Sequence, residues 1–404
     1  MVRPSSSRSP RSPRRICMVA YTQYRSDPRC RREAEALAQR GDEVDFICLG
    51  SAGEPKLELI EGVTVRRLAM KRYRGDSAAS YALSYATFFL KASLAILRLS
   101  LRDRFHVIHV HSMPELMVFI ALLPRLLGAK VVLDLHELSP ELYADRFGLS
   151  SRHPVLQLLI FVERICVRWV HRVICVHEPQ AKHIMSRCSP RERPSVVMNV
   201  PDPRLFHQSS DAPSGTCDNG TFKMVHHGTI VERYGGDIAV RALASLDGKI
   251  PGLEFVIYGD GDFARNLSEE ISRLNLGERV SLSGRTLPLE AVAPAIKDAQ
   301  LGIVPHRDGP IMKWALPTKL MEYVALGIPV VVARTWVVTR YFDDSMVMFF
   351  EPGNASDLAR CILKLYREPE LRRSLAQNAK KFLEEHSWEK EREKLFSVID
   401  GLET

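Results

Sequence analysis

Apolar and polar residues alternate along the chain in two rhythms. Short runs rich in Val, Ile, Leu and Phe are separated by longer stretches in which apolar residues recur every three or four positions, the pattern of buried parallel strands joined by amphipathic helices. In the first half the predicted strands are 16–21, 44–48, 63–68, 107–110, 131–135, 173–176 and 196–199. A stretch from 208 to 220, rich in Gly, Ser and Asp, then breaks the rhythm. The alternation restarts with strands 224–227, 255–258, 280–283, 301–305, 330–333 and 346–350, and closes with helices over 369–384 and 388–402, Ser387 capping the second. This predicts an α/β protein of two doubly wound, Rossmann-like domains. The expected partition is a disordered basic tail over 1–14, an N-terminal domain over 15–203, a linker over 204–220, a C-terminal domain over 221–384 and a final helix over 385–404.

The 404 residues, 46% hydrophobic and 26% charged, exclude a chain disordered throughout and allow two substantial cores. Eight cysteines are scattered without a Cys-x-x-Cys pair, several of them in apolar runs. That predicts buried free thiols in a reducing cytosol rather than a disulfide framework or a zinc site. A formal charge of +8 points to an anionic partner. Because the basic residues are dispersed and not interleaved with aromatics, nucleic acid is disfavoured. The first fifteen residues lack the apolar core of a secretory signal.

One segment, from Ser80 to Phe105, is apolar nearly all round, with Lys91, Arg98, Arg102 and Arg104 toward its C-terminal end. Lys91 and Arg98 interrupt it as a membrane span. Two readings stay open: a fully buried helix whose cations complement its own C-terminus, or a helix with a second apolar face seated among lipid headgroups. The second implies a cytoplasmic protein held peripherally at the anionic inner face of the cell membrane.

In doubly wound sheets, ligands bind at the carboxyl ends of the strands, so polar residues at strand exits carry the candidate chemistry. The densest candidate is 316–330. Pro317 suits the first helical position and Gly327 a left-handed stop, which bounds a short helix. Thr318 and Glu322 share a face of it; free N–H groups at its start attract a diphosphate, and the Glu322 carboxylate can accept both hydroxyls of a ribose. A solvated Glu322, favoured only by the helix dipole, is the competing reading. In 226–237, Gly228 and Gly235 permit close backbone approach, and Arg233 between them offers a planar fork to phosphate oxygens. The segment is neither a P-loop nor a dinucleotide-binding glycine turn.

His136 leaves a strand where its imidazole can meet a sugar hydroxyl or a phosphate, or merely cap the following turn. His109 and His111 point to one side of a strand, and with no third ligand at zinc-like spacing, packing is the favoured role. Arg25 and Arg29 flank a helix start whose dipole opposes them, so either an anionic acceptor or simple solubility accounts for them.

Together these pieces resemble the family-four retaining glycosyltransferases of GT-B fold. The resemblance rests on Arg233-Tyr234-Gly235 after a glycine turn, Gly259-Asp260-Gly261 after a strand, and the run from Leu316 to Tyr323 leading into Gly327-Ile328-Pro329-Val330. Asp27-Pro28-Arg29 and the strand ending at His136 are similar to the acceptor half of bacterial members that build surface polysaccharides. The resemblance implies two domains facing a cleft, with the last helix, around Trp388, crossing back to the first domain. It implies that Glu322 grips the ribose, that Arg233 binds the diphosphate and that His136 lies by the donor sugar; the residues themselves add Gly228, Thr318 and Lys319 to the diphosphate site, with His136, Arg233 and Lys319 expected to serve catalysis. Gly284 and Arg285 would hold the base; with Trp314 where an acid is usual, Asp308, Lys313 or Lys319 would take over part of the donor-sugar contact, and Arg25, Arg29 and His111 are candidates for the acceptor. Two departures stand out: Trp314 replaces a glutamate usual eight positions before Glu322, and Thr229 follows Gly228 where Arg is common.

The expected reaction is transfer of a sugar from a nucleotide-diphosphate sugar to a lipid-linked or polysaccharide-precursor acceptor, with retention and with neither metal nor other cofactor. A nucleotide-sugar epimerase, and a non-catalytic nucleotide-sugar-binding partner of a membrane glycosyltransferase complex, stand as alternatives.

Overall fold

The computed structural model describes residues 12–51, 53–71, 73, 77–208 and 220–402. Residues 1–11, most of the expected linker, Cys217 and the last two residues therefore lie outside the described residues. The expected basic tail ends early, because Arg14 is buried and its N–H donates to Asp42 Oδ1 at 3.1 Å.

Strands β1 (Arg15–Val19), β2 (Glu43–Leu49), β3 (Leu57–Ile60), β4 (Val63–Leu68), β5 (Val107–His111), β6 (Lys130–Leu135), β7 (Arg172–Cys175) and β8 (Ser195–Val196) form one sheet. Its order is β3-β4-β2-β1-β5-β6-β7-β8, parallel except where β3 meets β4. A second sheet, parallel throughout, holds β9 (Phe222–His227), β10 (Leu253–Tyr258), β11 (Val280–Leu282), β12 (Leu301–Val304), β13 (Val330–Ala333) and β14 (Met348–Phe350) in the order β11-β10-β9-β12-β13-β14. Near-continuous apolar composition follows from burial of such strands on both faces.

Among the described residues, the stretch between β1 and β8 holds the helices α1 (Pro28–Gln39), α2 (Ala78–Arg102), α3 (Leu122–Leu126), α4 (Ser139–Phe147), α5 (Pro154–Trp169) and α6 (Glu178–Cys188). With the second sheet come α7 (Gly236–Ala244), α8 (Ala264–Arg273), α9 (Leu289–Ile296), α10 (Thr318–Ala325), α11 (Ala355–Arg367) and α12 (Pro369–Glu385), and α13 (Trp388–Asp400) ends the chain. Local signals set these bounds. Asp27 caps α1 by accepting the Cys30 N–H at 3.1 Å, with Pro28 in the first turn where its missing N–H costs nothing. Ser387 Oγ accepts the Lys390 N–H at 3.4 Å before α13. Pro317 sits one residue outside α10 rather than at its first position, while Gly327, at φ 74°, supplies the expected left-handed stop.

The chain divides into two compact units, one of residues 1–139, 158–197 and 392–404, the other of 140–157 and 198–391. Residues 140–157, expected with the first domain, cluster with the second. Within the first unit, Leu395, Val398, Ile399 and Leu402 share a core with Ile16, Leu37 and Phe46. Burying a side chain of this size is worth about 1.5–3 kcal/mol, so the end of the chain is part of that unit's fabric. Among the described cysteines all seven are buried and free.

Candidate nucleotide-sugar site

Chain direction across the second sheet reverses at β9, which has β10 on one side and β12 on the other. Such a switch point opens a crevice at the carboxyl ends of the two strands. His226 and His227 end β9, Gly228 follows, and Pro305 and His306 follow β12. Helix α10 brings Lys319 and, one turn on, Glu322 to the same place.

Glu322 is held from behind. Tyr323 Oη lies 2.9 Å from His227 Nδ1 and donates to the Val225 carbonyl at 3.3 Å, while His227 Nε2–H donates to Glu322 Oε2 at 2.6 Å, so the imidazole ties the carboxylate to the β9 strand. The other oxygen of Glu322 takes no hydrogen bond from a described residue, so of the fork expected for two ribose hydroxyls one prong is already used. Lys319 is buried, its Nζ 3.5 Å from His226 Nε2 and 4.7 Å from the centre of the Tyr234 ring. His226 Nδ1 donates to the Ile303 carbonyl at 2.9 Å, which turns the lone pair of Nε2 toward the amine. Burial brings the Lys319 pKa down to about 7 despite the pull of Glu322. Burial, and then the Lys319 charge, hold His226 and His306 well below the ordinary histidine value. His226 and His306 thus stand as neutral imidazoles beside an amine that titrates near 7.

Glycine and stacking shape the rim. His306 stacks on Tyr234 with ring centres 4.8 Å apart, and Arg307 donates to Asp237 Oδ2 at 2.6 Å and to the Glu232 carbonyl, clamping the loop that carries Arg233. The Arg233 guanidinium makes no hydrogen bond or close ion pair among the described residues; it lies 5.3 Å from the Tyr234 ring centre, with the Asp145 carboxyl near enough to feel its charge. Gly235 sits at φ 67°, and a Cβ there would fall 1.9 Å from the Pro305 carbonyl oxygen. Backbone cannot yield to that degree. Gly235→Ala should cost about 3 kcal/mol in urea unfolding; a loss below about 1 kcal/mol would show that the loop is free to shift.

In the first unit, burial gathers a second cluster around Asp134. Arg29, 2% exposed, donates through Nε and Nη2 to both Asp134 oxygens (2.9 and 2.8 Å), lies 3.1 Å from Glu33 Oε1, and reaches the Val197 carbonyl. His111 Nδ1 is 3.2 Å from Asp134 Oδ2 and 3.0 Å from His136 Nε2; His136 Nε2 is itself 3.3 Å from Asp134 Oδ2. Burial opposes charge on Asp134, but Arg29 and then His136 outweigh it and hold the carboxyl well below its usual range. Burial likewise opposes charge on His136, and Asp134 overcomes it, so the imidazole titrates above its ordinary value. Glu33, where burial exceeds the attraction of Arg29, is pushed up to about 7.

Both halves of the chain match family models: a glycosyl transferase 4-like domain over residues 26–199, and the glycosyl transferases group 1 over 210–382. The chain belongs to the family-four glycosyltransferases. Solved structures similar to this family member include sucrose-phosphate synthase from Thermosynechococcus elongatus (TM-score 0.78, 18% identity, 96% of this chain and 99% of that one). HepE from Anabaena, solved with UDP and glucose, superposes with a TM-score of 0.70 at 14% identity over 96% of this chain and 100% of that one. At these TM-scores, over nearly the whole of each chain, the likeness shows the GT-B fold. Among curated relatives, one component of the human phosphatidylinositol N-acetylglucosaminyltransferase is 25% identical over 84% of this chain and 66% of its own length. An uncharacterized glycosyltransferase of Methanocaldococcus jannaschii is 25% identical over 54% of this chain and 56% of its own. The chain thus spans about half to two thirds of the length of these relatives.

For the family's expected site residues, the structure joins some and separates others. Gly228, Lys319 and Glu322 meet at the switch point, Thr318 is the first residue of α10, and Arg233 lies on the loop at the rim. Gly284 and Arg285 are exposed at the end of β11, where an isolated bridge pairs Arg285 with Gly259. Asp308 is exposed, its carboxylate accepting the next N–H at 3.0 Å. Trp314 packs edge-to-face on Trp336, centres 5.0 Å apart, with Lys313 Nζ 5.8 and 5.7 Å from the two rings.

Arg29 is a correction to both readings: it is buried, not a solubilising surface group, and the anions beside it are the protein's own Asp134 and Glu33. His111 is also buried, its Nδ1 held between Asp134 and His136. Arg25 is exposed but paired with Glu58 at 2.8 Å and Glu54 at 3.5 Å. For His109 and His111, the sequence showed no third ligand, yet folding brings Glu33 Oε2 and Asp134 Oδ2 to 4.0 and 3.9 Å from His109 Nε2. Long-range pairings of this kind leave no trace in spacing. His227 and Tyr234 were the residues whose roles the sequence missed: the first had the signal of a strand exit at a switch point, the second none.

Proposed function

We propose that this glycosyltransferase moves a sugar from a nucleotide-diphosphate sugar to a lipid-linked or polysaccharide-precursor acceptor, with retention at the anomeric carbon. The carrying observation is Glu322, fixed by His227 with one oxygen free, beside a buried Lys319 amine under the glycine loop. A ribose hydroxyl meets the free carboxylate oxygen; Lys319, Arg233 and the first N–H groups of α10 take the charge that develops as the diphosphate departs. The leaving phosphate oxygen takes the acceptor's proton as the new glycosidic bond forms on the same face. UDP in HepE and N-acetylglucosaminyl transfer to a lipid in the human relative's name support a UDP-linked donor, UDP-N-acetylglucosamine first among those to try.

The test is turnover of UDP sugars with a lipid-diphosphate acceptor, following anomeric configuration by NMR. Retention is expected, with kcat/KM reduced about 100-fold or more in Glu322→Ala. An inverted product, or full activity in that variant, sinks the reading. A new sugar isomer formed without acceptor would instead identify an epimerase.

A further inference from the structure

We propose that the outer face of α2, continued by α3, is a docking surface for an anionic lipid bilayer, with α2 lying in the membrane plane. The surface belongs to the first unit and does not depend on the transferase reading.

The helix has two apolar stripes. At 100° per residue, Phe88, Ala92, Ile96 and Leu99 fall together and are buried. On the opposite side Leu83, Leu90, Leu94 and Leu101 fall within about 40° of one another and are 70%, 69%, 46% and 73% exposed. One stripe packs on the unit, and nothing described covers the other. The exposed stripe is extended sideways, because α2 packs against α3, whose Leu122 and Leu126 are 52% and 76% exposed. A monomer gains nothing from so much apolar surface in water.

Charge selects the occupant. Arg98 and Arg102 run along one flank of the leucine stripe, Arg104 follows the helix end, all three are exposed, and none has an ion pair among the described residues. The helix itself contains no acidic residue. Leu83, Thr87, Leu90, Leu94, Leu97 and Leu101 also repeat in the four-three spacing of a helix pair, which a second copy of this chain would offer. That partner would bring only more arginines and no acid from α2 to meet them, whereas lipid phosphates supply the missing charge over an apolar interior. Length and composition alone would let α2 cross a membrane. Its buried stripe keeps it on the unit, so it lies flat with its leucines below the headgroups and its arginines snorkelling to phosphates.

The experiment is sedimentation of the full chain with vesicles of phosphatidylcholine alone or with phosphatidylglycerol added. Binding to the mixed vesicles at low salt is expected. It should weaken about fivefold for each of Arg98→Ser and Arg102→Ser, and roughly 100-fold or more in Leu90→Glu/Leu94→Glu. These positions are exposed, so circular dichroism should stay unchanged. Failure to bind mixed vesicles, or equal binding by the leucine variant, overturns the proposal. So does a dimer in solution that the leucine variant dissolves, which would assign the stripe to a second copy.

Discussion

Asp134→Ala should cost the folded protein about 3–5 kcal/mol, because it strands a buried guanidinium with only Glu33 to answer it. Arg29 is enclosed and bound through two N–H groups to both oxygens of Asp134, so no rotation carries its charge to water. Urea unfolding at pH 7 measures the loss. A cost below about 1 kcal/mol would mean that Glu33 alone carries Arg29. Glu33 gives a control of opposite sign. Its folded pKa, about 7, is above the ordinary 4.5, so the folded state holds a proton that the unfolded chain has released. Its contribution to stability is complete below about 4.5 and is lost as pH rises to about 7. In Glu33→Gln that slope should vanish.

The second large effect is at Lys319. Lys319→Met should lower turnover by about 10²–10³-fold, since the amine meets charge that develops only as the diphosphate leaves. A pH signature separates this role from a structural one. The free protein's Lys319 titrates at about 7, and a diphosphate beside it must raise that value. Binding therefore takes up a proton above pH 7, and nucleoside diphosphate affinity should fall as much as tenfold per pH unit there. Below pH 6 there is no uptake, the amine being charged already. Stability of the free protein moves the other way: the unfolded chain holds more protons between about 7 and 10.5, so folding is favoured as pH rises across that window. Calorimetry at pH 8 in two buffers of different ionisation enthalpy reads the proton directly. Equal heats in both buffers would remove Lys319 from the diphosphate site.

How much of this was legible depended on the range over which each signal acts. Strands such as β4 and β13 stood out because their apolar runs are local and uninterrupted. The edge strand β3 did not, since Leu57 and Leu59 face solvent and its pairing with β4 comes from a turn, not from burial. At the site, Gly327, Pro317 and the helix they bound declared themselves through backbone preferences. Glu322 was visible as a carboxylate on that helix, but not its tether to His227, which lies 95 positions away in the chain. Arg29 misled for the same reason: an arginine opposing a helix dipole does need an anion, and only folding shows that it comes from β6.

The placement of Leu395, Ile399 and Leu402 in the core of the first unit has a consequence for synthesis. Ordinarily an amino-terminal domain folds as it leaves the ribosome. Here the strands of the first unit are complete by residue 196, yet the side chains that close its core emerge roughly 200 residues later, about 10–40 s at 5–20 residues per second. Until then its sheet has an open apolar face. The unit synthesised first is the one that finishes last, and the nascent chain is most exposed to aggregation and to chaperones during that interval.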